Sequence, residues 1–233
     1  MNKPNFLNNA VKPQLSTNPE SVGTEYSETL LIEARDKTLE VILEAQKQIH
    51  PGLCEKDARN LVSDIQTRLG APKSWHPPQI RFGANTLLPF GKVGLENPVL
   101  AENDIYFLDI GPIFNGHEGD VGRTFSVGKN PLMHKCVHDV EAIWNDVRHQ
   151  WKEFSKTGAD LYQYAQSRAQ ELGWILNLEK ANGHRISDFP HAAKMRGSID
   201  ILNFAPTSNR WILEIQIRHS ELPIGAFYED LLS

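Results

Sequence analysis

Asp109 and Asp120 stand eleven residues apart in the stretch DIYFLDIGPIFNGHEGDVGRTFS, residues 104–126. Tyr106 to Ile110 (YFLDI) is an apolar, β-favouring run. In VGRTFSV (Val121 to Val127), Val121, Arg123, Phe125 and Val127 alternate with Gly122, Thr124 and Ser126. Between the two runs, Asn115-Gly116 is the strongest short-range hairpin signal. A turn centred there pairs Asp109 with Gly122. Asp120, two residues from Gly122, then shares a face with Asp109. Diagonal neighbours in an antiparallel pair lie roughly 7–8 Å apart, a separation from which two carboxylates can bridge one cation or converge on a pair. Aspartate is a poor strand residue and is costly to bury unpaired. Alone, Asp109 ahead of Gly111-Pro112 reads as a strand end capping a turn. Two aspartates on one face of one hairpin favour a site.

Four more residues invite a chemical reading. Glu214 sits inside the apolar run WILEIQI, and Glu229 lies in GAFYED near the end of the chain. His184 follows Asn182-Gly183, and His191 follows Phe189-Pro190. Singly, each glutamate suits an edge strand and each histidine a solvated loop. Together, Asp109, Asp120, Glu214 and Glu229 with an imidazole form a plausible metal set. Four carboxylates match two divalent cations, and without them would repel one another and take up protons. Oxygen-rich ligation with one imidazole suits Mn(II), Fe(II), Co(II) or Zn(II). Two such ions about 3.5–4 Å apart lower the pKa of a bridging water and polarise a substrate carbonyl.

The elements that must position these groups are legible as periodicity. Residues 1–24 are rich in Asn, Pro, Ser and Thr and read as an N-terminal arm, with one domain over 25–233. Leu30, Leu31, Ala34, Val41, Ile42, Ala45 and Ile49 recur at helical spacing from Tyr26 to Ile49, before His50-Pro51-Gly52. A second helix is expected from about Glu55 to Leu69. Ile80 to Gly83 suggests a strand within a less regular stretch over 73–100. After Asn130-Pro131 a long amphipathic helix carries Val137, Val140, Ile143, Trp144, Val147, Trp151 and Phe154. Another helix runs from about Leu161 to Leu172. The tail from Ile199 on is strand-like, with Trp211–Ile217 and Gly225–Asp230 as partners. Helices followed by strands occur twice, which predicts an α+β fold with antiparallel pairing and two αβ halves.

Composition excludes several classes. The 233 residues can bury a sizeable core, and 23% charged residues mark an ordinary globular chain. A formal net charge of −5 without a basic run argues against nucleic acid. No apolar stretch reaches the roughly 18–20 residues of a membrane span, and the first residues lack the apolar core of a secretory signal. Two cysteines, Cys54 and Cys136, give no disulfide framework and no thiolate clip, which suits a cytoplasmic location.

The order Asp, Asp, His, Glu, Glu resembles that of the pita-bread metallopeptidases: methionine aminopeptidases, aminopeptidase P, prolidase and the creatinases. LDIGPIFNGHEGDVGRTF resembles their two-aspartate hairpin, NGHRISDFPH their histidine segment, and LEIQI and GAFYED their two glutamate strands. The resemblance covers about residues 26–230. It implies a curved antiparallel sheet covered by helices, with the metal site on its concave face. It also implies two divalent ions bound by Asp109, Asp120, His184, Glu214 and Glu229. Glu214 would double as proton shuttle, and His191 would act on substrate or leaving group. The implied activity is aminopeptidase-like hydrolysis through a metal-bridging water, on a peptide or small-molecule substrate, in a chain compatible with a homodimer.

Three departures mark the substrate side. Pro89 or Phe90 falls where many relatives carry a histidine, and Phe227 and Tyr228 flank the place of an arginine. Arg185 and Ser187 replace glycines, which makes the backbone less free and the pocket more polar. His117, in the hairpin turn, and Arg185 are the candidates to hold substrate instead. Two alternatives stay open: a non-catalytic binding module of the same fold, or other chemistry on a small molecule, by C–N hydrolysis or oxidation at iron.

Overall fold

A computed structural model describes residues 18–190 and 197–233. Two helices open the fold, α1 (Glu28–Gln46) and α2 (Glu55–Arg68). Ser27 caps α1 by accepting a hydrogen bond from the Leu30 amide. The helix is two residues shorter at its start and three at its end than the periodicity suggests, yet Ile49 is still buried beneath it. The first strand, β1 (Gln79–Phe82), leads into a 3₁₀ turn over Gly83–Leu87. Next come β2 (Asp104–Ile110), the short pair β3 (Ile113–Phe114) and β4 (His117–Glu118), and β5 (Val121–Val127). Asn115 and Gly116 both have positive φ, 50° and 74°, as a two-residue hairpin turn of matching twist requires. Phe114 faces His117 across that turn, and the same register continues to Asp109 opposite Gly122.

Asn130 caps the long helix α3 (Pro131–Phe154) and Thr157 caps α4 (Gly158–Glu171). The chain closes with β6 (Ile175–Leu176), β7 (His184–Arg185), β8 (Trp211–Arg218) and β9 (Gly225–Leu231). Ile199–Ile201, read as strand-like from the sequence, is a 3₁₀ turn. Among the described residues the main sheet is antiparallel, in the order β1-β2-β5-β9-β8-β6, with β7 also on β8.

Strand alternation divides this sheet into two faces. Ile80, Phe82, Tyr106, Leu108 and Ile110 pack under α1 and α2 in one core. Leu213, Ile215, Ile217 and Ala226 pack under α3 and α4 in a second. These cores are the two αβ halves expected from the order of elements. The opposite face carries Asp109, Glu214, Glu229 and Gln216, and at one end of it Ile212 and Leu231 pack with Leu31 of α1. No helix among the described residues is long and apolar enough to cross a membrane.

The segment ahead of α1 is tied to the body over 18–23. Glu20 accepts from the Thr207 amide and the Trp211 indole, and Gly23 donates to Asp188.

Candidate metal centre

One cross-strand row carries most of the site. Gln79 pairs with Asp109, Asp109 with Gly122, Gly122 with Glu229 and Glu229 with Glu214. Three carboxylates therefore project from neighbouring strands on the same side of the sheet. Asp120 enters from the residue before β5. His184 enters from β7, where it pairs with Ile212, two residues along β8 from Glu214. The geometry brings these five residues together. His191 lies outside the described residues.

A sixth group is present that the sequence did not single out. The Nε2 atom of His76 lies 3.5 Å from Asp109 Oδ1 and 3.5 Å from Asp120 Oδ1. On the other side of Asp120, His184 Nε2 is 3.0 Å from Oδ2 and 3.7 Å from Glu229 Oε1. The result is two ligand groups, His76–Asp109–Asp120 and Asp120–His184–Glu229. Within each, the candidate ligand atoms lie within 4.8 Å of one another. Asp120 belongs to both.

The donor set fits divalent cations. Both oxygens of Asp120 and Oε2 of Glu229 are buried and receive no hydrogen bond of good geometry. His184 Nδ1 lies 2.8 Å from the Arg185 carbonyl and His76 Nδ1 lies 2.9 Å from the Pro77 carbonyl. A carbonyl only accepts, so each Nδ1 carries the proton and each Nε2 turns towards the carboxylates. Fixing a ligand imidazole through its far nitrogen is the usual outer support of a metal site.

Charge crowding appears in the proton affinities of the metal-free cluster. Burial, with Asp120 adding to it against the pull of His76, raises the Asp109 carboxyl to about 6. Burial also raises Glu214 to about 7, despite nearby His184 and a hydrogen bond from the Gly183 amide at 2.7 Å. Glu229 is driven well above the usual carboxylate range by burial and then by Asp120 and Asp109. Burial opposes charge on His76, but Asp109 and Asp120 outweigh it and lift the imidazole to about 9. A cluster that holds extra protons in this way is one that cations can occupy by displacing them.

Glycines keep the site open at two points. A Cβ on Gly122 would come within 2.5 Å of the Phe227 ring and 3.0 Å of Glu229 Cβ. Gly183 has a φ of +73°, and a Cβ there would meet the Ile212 carbonyl at 2.7 Å. Beside the carboxylates the cleft is walled by Phe90, Phe107 and Phe227, with Arg81, Lys180 and Gln216 at its polar edge.

A family model for metallopeptidase family M24 matches residues 29–200, most of the chain. The chain belongs to metallopeptidase family M24. Its α+β architecture is the pita-bread fold, and the buried His/Asp/Glu cluster lies on the sheet. A methionine aminopeptidase of Clostridium acetobutylicum is 32% identical over 89 residues, 36% of this chain and 35% of that protein. A protein provisionally named an Xaa-Pro aminopeptidase in Mycoplasma genitalium is 31% identical over 104 residues, 45% of this chain and 29% of that protein. The matched segments thus span about a third of these M24 relatives. Among solved structures, an X-Pro aminopeptidase from Thermotoga maritima aligns with a TM-score of 0.69 at 20% identity, over 86% of this chain and 56% of that one. A methionine aminopeptidase from the same organism aligns with a TM-score of 0.72 at 16% identity, over 87% of this chain and 90% of that one.

Two sequence expectations are corrected by the geometry. His117 is not at the cleft. Its Nε2 accepts from the Ser27 amide at 2.9 Å and its Nδ1 faces the Asn115 carbonyl at 3.1 Å, so it ties the start of α1 to the hairpin turn. Arg185 alternates with His184 on β7 and therefore points away from the carboxylates. Its guanidinium donates to the carbonyls of Pro19 (3.1 Å), Ser21 (2.8 Å), Ile186 (2.9 Å) and Arg210. Neither side chain lines the cleft.

His76 escaped the sequence reading because Trp75-His76-Pro77-Pro78 lies in a stretch without periodicity. One signal was there. Two prolines cannot donate to a ladder and force an irregular path just ahead of an edge strand.

Proposed function

We propose that this M24 protein is a metal-dependent hydrolase that cleaves an amide bond at a dinuclear centre, in the manner of an aminopeptidase. The observation that carries this reading is the sharing of Asp120 between two ligand groups, His76–Asp109–Asp120 and Asp120–His184–Glu229. Glu214 is paired with Glu229 and completes the set from the rim of the cleft. When bound, a pair of divalent ions (Mn, Fe, Co or Zn) supplies Lewis acidity and makes water a nucleophile near neutral pH.

The chain's own groups divide the remaining work. Asp120 and Glu229, both buried, hold the charge at the floor of the site. Glu214 is less buried than its neighbours, and its carboxyl is raised to about 7 by burial, a value suited to passing a proton near neutral pH. His191, seven residues after His184, is assigned to the substrate side as a proton donor to the leaving group.

A second reading rests on a specific observation. Pro89 or Phe90 falls where the family resemblance calls for a histidine, and Phe227 and Tyr228 flank the place of an arginine. Phe227 is buried, with its ring centroid 5.3 Å from that of Phe107. An aromatic wall offers no hydrogen bond near a scissile peptide. Each missing donor of this kind costs about 2–4 kcal/mol of transition-state stabilisation. This favours a smaller or less peptide-like amide.

Turnover of Met- and Xaa-Pro-peptides, measured beside a panel of small amides with each of the four metals, tests both readings. The expected result is hydrolysis of a small amide, with kcat/KM on the peptides well below about 10⁴ M⁻¹s⁻¹. Peptide turnover at or above that level restores the plain aminopeptidase reading. Absence of any hydrolysis in metal-loaded protein contradicts the hydrolase. In the active protein, His191→Ala is expected to lower kcat and spare metal content; equal loss of metal would make His191 a ligand.

A further inference from the structure

Residues 73–79 run antiparallel to the end of β2 and the loop after it, but with a misfit in length. Ser74 bridges Pro112, and Gln79 pairs with Asp109. Five steps along one strand therefore oppose three along the other, which leaves two extra residues to bulge out. The ladder holds on the Ser74 side of the bulge and resumes at Gln79. The Trp75 amide donates to the Gly111 carbonyl at 2.9 Å, and the Ile113 amide to the Lys73 carbonyl at 2.9 Å. A bulge re-aims a side chain without ending the pairing, and here the re-aimed side chain is His76. Its imidazole is driven over the two aspartates.

Gly111 makes the room. A Cβ at Gly111 would stand 2.1 Å from Trp75 Nε1 and 2.7 Å from His76 Cδ2. Trp75 packs against His76 in a T-shaped contact at 4.5 Å, and Phe90 does so from another side at 5.6 Å. With Nδ1 held by the Pro77 carbonyl, the ring has one free nitrogen and one direction in which to use it. That nitrogen is equidistant, at 3.5 Å, from one oxygen of Asp109 and one of Asp120. Ligand atoms about 3.5 Å apart already stand at the spacing that bonds of roughly 2.0–2.2 Å to one shared cation require.

The arrangement repeats that of His184 on the other side of Asp120, which also has its Nδ1 on a carbonyl and its Nε2 on carboxylate oxygen. We infer that His76 is a metal ligand, so that each of the two cation positions carries one imidazole: His76 on the Asp109 side and His184 on the Glu229 side. The inference rests on the dinuclear reading above and adds a sixth protein ligand to it. An imidazole in place of water on the Asp109 side leaves the charge unchanged and raises the nitrogen content of that position, which favours Zn(II), Co(II) or Fe(II) there over Mn(II). It also leaves one coordination position fewer for substrate on that side.

Zinc K-edge X-ray absorption on the full chain loaded with Zn(II) tests this. The expected wild-type spectrum fits about one imidazole per zinc at roughly 2.0–2.1 Å. In His76→Gln it falls to about half, with one zinc bound at least about tenfold more weakly by calorimetry. His76→Ala should behave as His76→Gln does. Thermal unfolding of both metal-free variants, compared with wild type, shows whether the fold is intact. Should neither variant fold, the wild-type imidazole count decides alone. A wild-type spectrum with about half an imidazole per zinc overturns the assignment. So does a folded His76→Gln protein with unchanged affinity and spectrum. Wild-type protein that binds no zinc, manganese, cobalt or iron contradicts the dinuclear reading itself, which is a different failure.

Discussion

Gly122 is the register partner of Glu229 on one side and of Asp109 on the other, and it has no side chain to place between their carboxylates. The carboxylate row thus runs across four strands, Asp109, Gly122, Glu229 and Glu214, with a gap at Gly122. Gly122→Ala puts a Cβ within 2.5–2.7 Å of the Phe227 ring and 3.0 Å of Glu229 Cβ. The expected cost is about 1–3 kcal/mol of stability from overpacking. Displacement of Glu229 should weaken metal binding as well. Chemical denaturation and metal titration check the two effects separately.

Stability of the metal-free protein should fall as pH rises. Glu214 is raised to about 7 and Asp109 to about 6, each chiefly by burial, and His76 to about 9 by its two aspartates against burial. A group bound more tightly to its proton in the fold stabilises it fully below the ordinary pKa, and that stabilisation is lost as pH passes the raised value. All three therefore act in the same direction between about pH 4 and pH 9. The melting temperature of metal-free protein is expected to drop between about pH 6 and pH 9, with added Zn(II) restoring most at the higher pH. Metal affinity should rise over the same window as protons are released. A melting temperature independent of pH would show that the cluster is not charge-crowded.

Asp230, next to Glu229, points to the opposite face of β9. Arg35 Nε donates to it at 2.7 Å and Nη2 at 2.5 Å, and Arg123 joins from β5. These arginines hold its carboxyl below the ordinary value although burial opposes this. Asp230→Ala leaves two partly buried guanidinium groups without their partner and is expected to cost about 3 kcal/mol in urea unfolding. Because Asp230 anchors β9 beneath Glu229, metal affinity should fall in the same variant, by less than on loss of a ligand.

Much of this was legible in the chain because local rules and the fold agreed. Asn115-Gly116 permits only a tight turn, so the pairing of Asp109 with Gly122 follows by counting from it. The apolar stripe of α3 and the alternation of β8 each have a single way to bury. His76 was hidden for the opposite reason. Its position comes from a mismatch between two strands, and no periodicity records a mismatch. Arg185 misled because being next to His184 in sequence means opposite faces on a strand. His117 misled because its ring is buried against the start of α1, although Asn115 and Gly116 at the turn are exposed.

Metal stoichiometry of wild type and Asp120→Ala, each prepared metal-free and reloaded, bears most directly on the shared-ligand centre. Asp120 is the one residue common to both ligand groups, so its removal should disable both positions at once. About two divalent ions per wild-type chain and almost none in folded Asp120→Ala are expected. Full retention of metal in Asp120→Ala, or loss of only one ion, would contradict the sharing of Asp120 on which the account rests.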